Sequence, residues 1–67
     1  MNEQWWWGDL HTNGHIQVKR YFDATSRLDF KDADESPFCE RRTGKFMATS
    51  REDALEKAAK LLGVKND

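Results

Sequence analysis

The sequence predicts a single α+β domain in which a three-stranded antiparallel sheet packs on a C-terminal amphipathic helix, with a short helix in the crossover. Three observations predict it. Asn13-Gly14 sits between two alternating apolar stretches, the strongest short-range signal for a β-hairpin. A third alternating stretch, Lys45-Phe46-Met47-Ala48-Thr49, reads as one more strand. Finally, Ala54, Leu55, Ala58, Leu61 and Leu62 recur at helical spacing between a capping sequence and Gly63.

Taken in order, the residues before Trp5 form a frayed start. Trp5 to Phe22 then make the hairpin, and its register decides which side chains matter. A two-residue turn at Asn13-Gly14 puts Trp5, Trp7, Asp9 and His11 on the face of Ile16, Val18, Arg20 and Phe22. That register buries Asp9 and leaves Trp6 and Leu10 outside. A three-residue loop, Thr12-Asn13-Gly14, with Gly14 left-handed as a bulge, instead places Trp6, Gly8 and Leu10 with Ile16, Val18, Arg20 and Phe22. A one-residue slip flips a whole strand, so the apolar pattern selects between the two. It favours the bulged hairpin, because Arg20 near the strand end can extend its head to water.

The crossover, Asp23 to Ser36, is the least legible part. Ser26 followed by Asp29 resembles a capping box, giving a short helix from about Arg27 to Glu35 with Leu28 and Ala33 inward. Leu28 and Phe30 also alternate as in a strand; the helix is the preferred reading, and Pro37 stops it. Residues 38–44 lead into the third strand, which sends Phe46 and Ala48 to the core and Lys45 and Met47 to the other face. In the C-terminal helix Ser50 can cap the amide of Asp53, or Thr49 that of Glu52, and acids occupy the first turn. Asp53–Lys57 and Glu56–Lys60 are supportive pairs on the outer side, and Gly63 ends the helix.

Composition bounds the function. A chain of 67 residues makes at most one domain, and at that size the stability margin is small unless aromatics fill the core. Eleven Lys and Arg against twelve Asp and Glu give a net charge of −1, which weighs against indiscriminate nucleic-acid binding. The single Cys39 excludes an internal disulfide. No apolar run is long enough to span a bilayer, and the first residues lack the layout of a signal peptide. A soluble, cytoplasmic protein is the expectation.

The sheet face away from the C-terminal helix is expected to be open and to carry Trp5, Trp7, Asp9, His11, His15, Gln17, Lys19, Tyr21, Lys45 and Met47. Trp5, Trp7 and Tyr21 alone would make an apolar patch of about 300–500 Å², near the upper limit for an ordinary monomer. Such a patch reads as a docking surface, with Trp, Tyr and Met as its anchors. Alternatively these aromatics are stabilising cross-strand partners, or the short helix folds over them. His11 faces His15 in the bulged register, with Asp9 on the same face, and His-His-Asp is a chemically sensible start to a zinc or nickel site. The residue set lacks a further suitably placed ligand, so no metal and no cofactor are expected. Cys39 has no assignable base, Asp32-Ala33-Asp34-Glu35 lacks calcium-loop spacing, and no glycine loop cradles a phosphate. Catalysis and a small-molecule substrate are therefore not expected.

The pattern W-x-G-x-x-H-x-N-G-x-I-x-V-K-R-Y-F from Trp6 to Phe22, with S-P-F at Ser36 to Phe38 and F-x-A-x-S-R-E-D-A from Phe46 to Ala54, resembles small proteins encoded by bacteriophages and prophages. The strand-to-helix segment is also similar to that of a small phage inhibitor of bacterial RNA polymerase. The resemblance implies an accessory protein that binds and modulates a host or phage protein. In architecture, three antiparallel strands backed by a helix are similar to the DNA-binding domain of plant ethylene-response factors and the arm-binding domain of tyrosine recombinases. Those families lay the open sheet face in the major groove, and Trp5, Trp7, Lys19 and Lys45 occupy comparable positions. Two functions follow as expectations. The first is a protein-binding module, or a self-associating one, that docks through Trp5, Trp7, Tyr21 and Met47. The other is a nucleic-acid binder that stacks those aromatics on bases and sets Lys19, Lys45, Arg41 and Arg42 on phosphates.

Overall fold

The computed structural model describes residues 2–64, which form an α+β domain with the order β1 (Gln4–His11), β2 (Ile16–Arg20), α1 (Asp23–Glu35), β3 (Cys39–Arg42), β4 (Phe46–Ala48) and α2 (Arg51–Leu62). Met1, part of the expected frayed start, lies outside the described residues, and from Gln4 the chain is already paired with Ala48. Among the described residues no helix is long and apolar enough to cross a membrane.

The hairpin takes the bulged register. Gly8 faces Val18 and Leu10 faces Ile16, the His11 amide donates to the His15 carbonyl at 2.8 Å, and Gly14 is left-handed at φ 89°. An L side chain is disfavoured in that backbone region, which is why glycine closes the loop. Trp6, Gly8 and Leu10 thus face α2, while Trp5, Trp7 and Asp9 face the other way.

β1 is the centre of the sheet. β2 pairs along one edge, and β3 and β4 pair end to end along the other, antiparallel throughout. The sheet therefore has four strands rather than three, because the segment expected only to lead into the third strand pairs on its own. The interruption is a bulge. Asp9 faces Arg42 and Trp6 faces Phe46, so Thr43, Gly44 and Lys45 oppose only Trp7 and Gly8. Thr43 holds the bulge together: its amide donates to the Gly8 carbonyl at 2.8 Å, and its Oγ1 accepts from the Gly8 amide at 2.9 Å. The same hydroxyl donates to the Gly44 carbonyl at 2.7 Å. A side-chain oxygen thus replaces the ladder acceptor that the bulge displaces.

α2 covers one face of the sheet. Leu10, Val18, Ala48, Ala54, Ala58 and Leu62 are buried together, with Trp6, Ile16, Phe46, Leu55 and Val64 packed around them. The helix lies close because Gly8 has no side chain: a Cβ there would stand 2.9 Å from the Ala58 Cβ. Ser50 accepts from the Asp53 amide and Gly63 closes the helix at φ 73°. Leu61, expected inward, is exposed, and Ala59 is buried in its place. Of the two expected outer pairs, Asp53–Lys57 closes at 3.2 Å, and Glu56–Lys60 is not among the ion pairs formed. The Lys57 ammonium also donates to the Met47 carbonyl at 2.8 Å.

α1 starts at Asp23, one turn earlier than the sequence indicates, with Phe22 as an N-cap that contributes no side-chain hydrogen bond. Ser26 does not open a capping box. It lies inside the first turn, buried, and its Oγ accepts from the Phe22 amide at 2.9 Å. The inward stripe is accordingly Ser26, Phe30 and Ala33, at helical spacing, and Leu28 falls on the far side, exposed. Phe22, expected in the core, leaves the sheet for the cap position and is exposed as well. The helix ends at Glu35 with Ser36 extended, one residue before Pro37.

The second sheet face is not open, because α1 lies on it. The Phe30 ring meets Trp7 edge-on at 5.0 Å and Tyr21 at 5.6 Å between centroids. Arg42 of β3 then clamps the helix with a two-pronged bridge to Asp34 at 2.8 and 3.0 Å.

Candidate functional site

The part of that second face which α1 leaves uncovered is built around Trp5. Alternation along β1 turns Trp5 to the α1 side, opposite Met47 of β4. Tyr21 is drawn beside it, since the Tyr21 amide donates to the Trp5 carbonyl at 2.9 Å. The bulge at residues 43–45 brings Lys45 over the pair, its Nζ 4.8 Å from the Trp5 ring centroid and 5.5 Å from that of Tyr21. Trp5 remains 44 % exposed, whereas Tyr21 and Met47 are half-buried. The result is a patch with a large flat ring, an ammonium over it and two apolar supports, each held by sheet backbone. Cation–π contact at an exposed site contributes about 0.5–1 kcal/mol, enough to favour one orientation of ring and lysine.

Four of the six residues expected to bind a partner, Trp5, Tyr21, Lys45 and Met47, therefore gather in one place. Lys19 is exposed nearby, its Nζ 5.6 Å from the Trp7 ring. Trp7 itself is not available. It is 2 % exposed beneath Phe30, a core residue of the α1 layer and not a contact residue. Alternation assigns a residue to a face but does not say whether a helix covers it.

Further along the same face, a cleft of about 220 Å³ opens between the sheet and α1. Trp7, Asp9, His11, Lys19, Asp29, Asp32 and Cys39 line it. Asp9 is buried, and its Oδ1 has no hydrogen-bond partner. Its Oδ2 lies 3.2 Å from His11 Nε2, an approach not aligned for a hydrogen bond. Asp29 and Asp32 were not anticipated here; their i, i+3 spacing next to the inward Ala33 is the signal that would have found them.

His11, His15 and Asp9 do not form a metal site. His15 pairs with His11 through the backbone but is exposed and outside the cleft, because facing strand residues share a face without converging on a point. Among the described residues no three His, Cys, Asp or Glu side chains form a group able to hold a metal ion. Burial pushes the Cys39 thiol up from its ordinary value, and Asp9 and Asp34 add to the effect. Its Sγ donates to the Arg41 carbonyl at 3.5 Å. A thiol held protonated in this way is a poor nucleophile at neutral pH.

The two arginines expected to hold phosphates point elsewhere. Arg42 is committed to Asp34 and stacks 4.1 Å over the Phe30 ring. Arg41 faces Leu10 in register, on the α2 side, with a guanidinium nitrogen near Gly63. On that side the Arg20 guanidinium lies 5.6 Å from both the Trp6 and Phe22 rings. Comparison with protein-family models, curated proteins and solved structures finds no match to this chain.

Proposed function

We propose that this chain is a non-catalytic binding module that docks a protein partner through the Trp5, Tyr21, Lys45 and Met47 patch, with Lys19 at its rim. The observation that carries the reading is the exposed Trp5 ring, fixed by strand pairing on both sides and lying under the Lys45 ammonium. A rigid indole with a cation beside it loses little conformational freedom on binding, and aromatic anchors of this kind dominate protein interfaces. The fitting partner presents an apolar socket for the indole and a carboxylate for Lys45. A role as an accessory or modulator protein, working in the cytoplasm, agrees with the small phage proteins that the sequence resembles.

The nucleic-acid reading draws on the same aromatic and lysine residues. It is disfavoured by the position of Arg41 on the opposite face and by the engagement of Arg42 with Asp34. These leave Lys19 and Lys45 to neutralise phosphates, too few for strong binding.

Salt dependence separates the two. Immobilised chain should retain a captured protein partner at high salt and lose it in Trp5→Ala, while labelled oligonucleotides bind weakly at best. Oligonucleotide binding that falls steeply with added salt, together with protein capture indifferent to Trp5→Ala, would overturn the proposal.

A further inference from the structure

The cleft between the sheet and α1 has carboxylates on both of its walls. Asp9 stands on the β1 side, and Asp29 and Asp32 stand on α1. Against these three the lining contains a single ammonium, that of Lys19. Carboxylates at a surface are ordinary, but Asp9 is only 6 % exposed and its Oδ1 accepts no hydrogen bond. A buried carboxylate without donors is costly, because nothing replaces the water it has lost.

The neighbouring cations of the chain do not serve it. Arg42 is opposite Asp9 in the β1–β3 register, yet its guanidinium turns to Asp34. Lys19 reaches the same cleft, but none of the ion pairs formed joins it to Asp9, Asp29 or Asp32. Its ammonium lies instead 5.6 Å from the Trp7 ring. His11 Nε2, beside Asp9 Oδ2, is likewise buried without a hydrogen-bond partner. The cleft thus lacks charged donors, and a strongly hydrated ammonium already within it stays off the carboxylates. A guanidinium is more weakly hydrated, and its planar fork can hold a buried carboxylate by two hydrogen bonds. At about 220 Å³ the cleft is smaller than the pockets of about 300–1,000 Å³ that take drug-sized ligands, and it suits one side chain.

We propose that this cleft takes the guanidinium of an arginine presented by the docked protein partner, donating to Asp9 inside and facing Asp29 and Asp32 at the mouth. The inference rests on the docking reading: Lys19 belongs both to the rim of the Trp5 patch and to the lining of the cleft, so the two form one continuous surface. The arginine joins the apolar socket and the carboxylate as a third feature of the fitting partner.

N-acetyl-arginine methylamide, titrated into the full chain and followed by amide and indole NMR shifts, tests the cleft without the partner. Saturable shifts at Asp9, His11, Asp29, Asp32 and the Trp7 indole are expected, with a Kd of about 1–10 mM. The uncharged citrulline analogue should give none. Asp29→Asn/Asp32→Asn, which removes two carboxylates that form no ion pair in the fold, should weaken binding about three- to tenfold. Binding of the citrulline analogue as tight as that of arginine, or tighter binding of N-acetyl-lysine methylamide, overturns the proposal. So do shifts confined to Trp5, Tyr21 and Lys45, or no saturation up to about 100 mM. Each of these failures leaves the docking reading standing, since that reading is judged by Trp5→Ala. A captured partner held equally well by the unmodified chain and by Asp29→Asn/Asp32→Asn overturns the arginine alone.

Discussion

α2 and α1 lie on opposite faces of one sheet and are held there in different ways. α2 is capped at both ends and meets the sheet through alanines, leucines and the bare backbone of Gly8, so its contact is close and almost wholly apolar. α1 has no side-chain N-cap hydrogen bond, buries a serine and one alanine, and is fastened by the Phe30 ring and the Arg42–Asp34 bridge. Its face also contains the buried Asp9 and the polar cleft. The difference assigns stability mainly to the α2 side and leaves the α1 side able to open. Regions with few buried apolar contacts exchange and move at lower cost than the global unfolding free energy.

Leu62→Ala gives the largest effect. Removing a nearly fully buried leucine from the α2 core should cost about 2–4 kcal/mol in urea unfolding. Phe30→Ala, at a half-buried site, should cost less globally while sharply accelerating amide exchange in α1 and sparing α2. Equal global losses in the two variants would abolish the distinction. Thr43→Val comes next, at about 1–3 kcal/mol, because it leaves the buried Gly8 amide without an acceptor; Thr43→Ser should restore most of the loss.

The smallest effect is acid sensitivity at the start of α2. The Thr49 amide, followed by the Lys57 ammonium, hydrogen-bonds the Asp53 carboxylate and holds its pKa below the ordinary value. A folded pKa lowered in this way contributes stability that is present above the unfolded value and lost as pH falls through the folded one. The advantage of the unmodified chain over Asp53→Asn in urea midpoint should therefore be full near neutrality and vanish in strong acid. An advantage that persists there would assign it to packing.

The hairpin register and α2 were legible because both depend on apolar periodicity, and a glycine stands at each left-handed position. α1 was mis-started because Phe22 makes no side-chain cap and Ser26 serves the helix from within its first turn. The break between β3 and β4 was not legible, since a threonine hydroxyl standing in for a backbone acceptor leaves no periodic trace. For the candidate site, the membership of Trp5, Tyr21, Lys45 and Met47 followed from alternation alone. The loss of Trp7 did not, because it depends on where a separate helix lands.

Every other strand leans on β1, and the partners along its second edge lie far later in the chain, from Cys39 opposite His11 to Ala48 opposite Gln4. During synthesis the hairpin can close early, yet the face that carries Trp6 and Leu10 waits uncovered until Phe46 to Leu62 have been made. The interval between these events is when a nascent chain of this kind is most open to chaperones and to proteolysis.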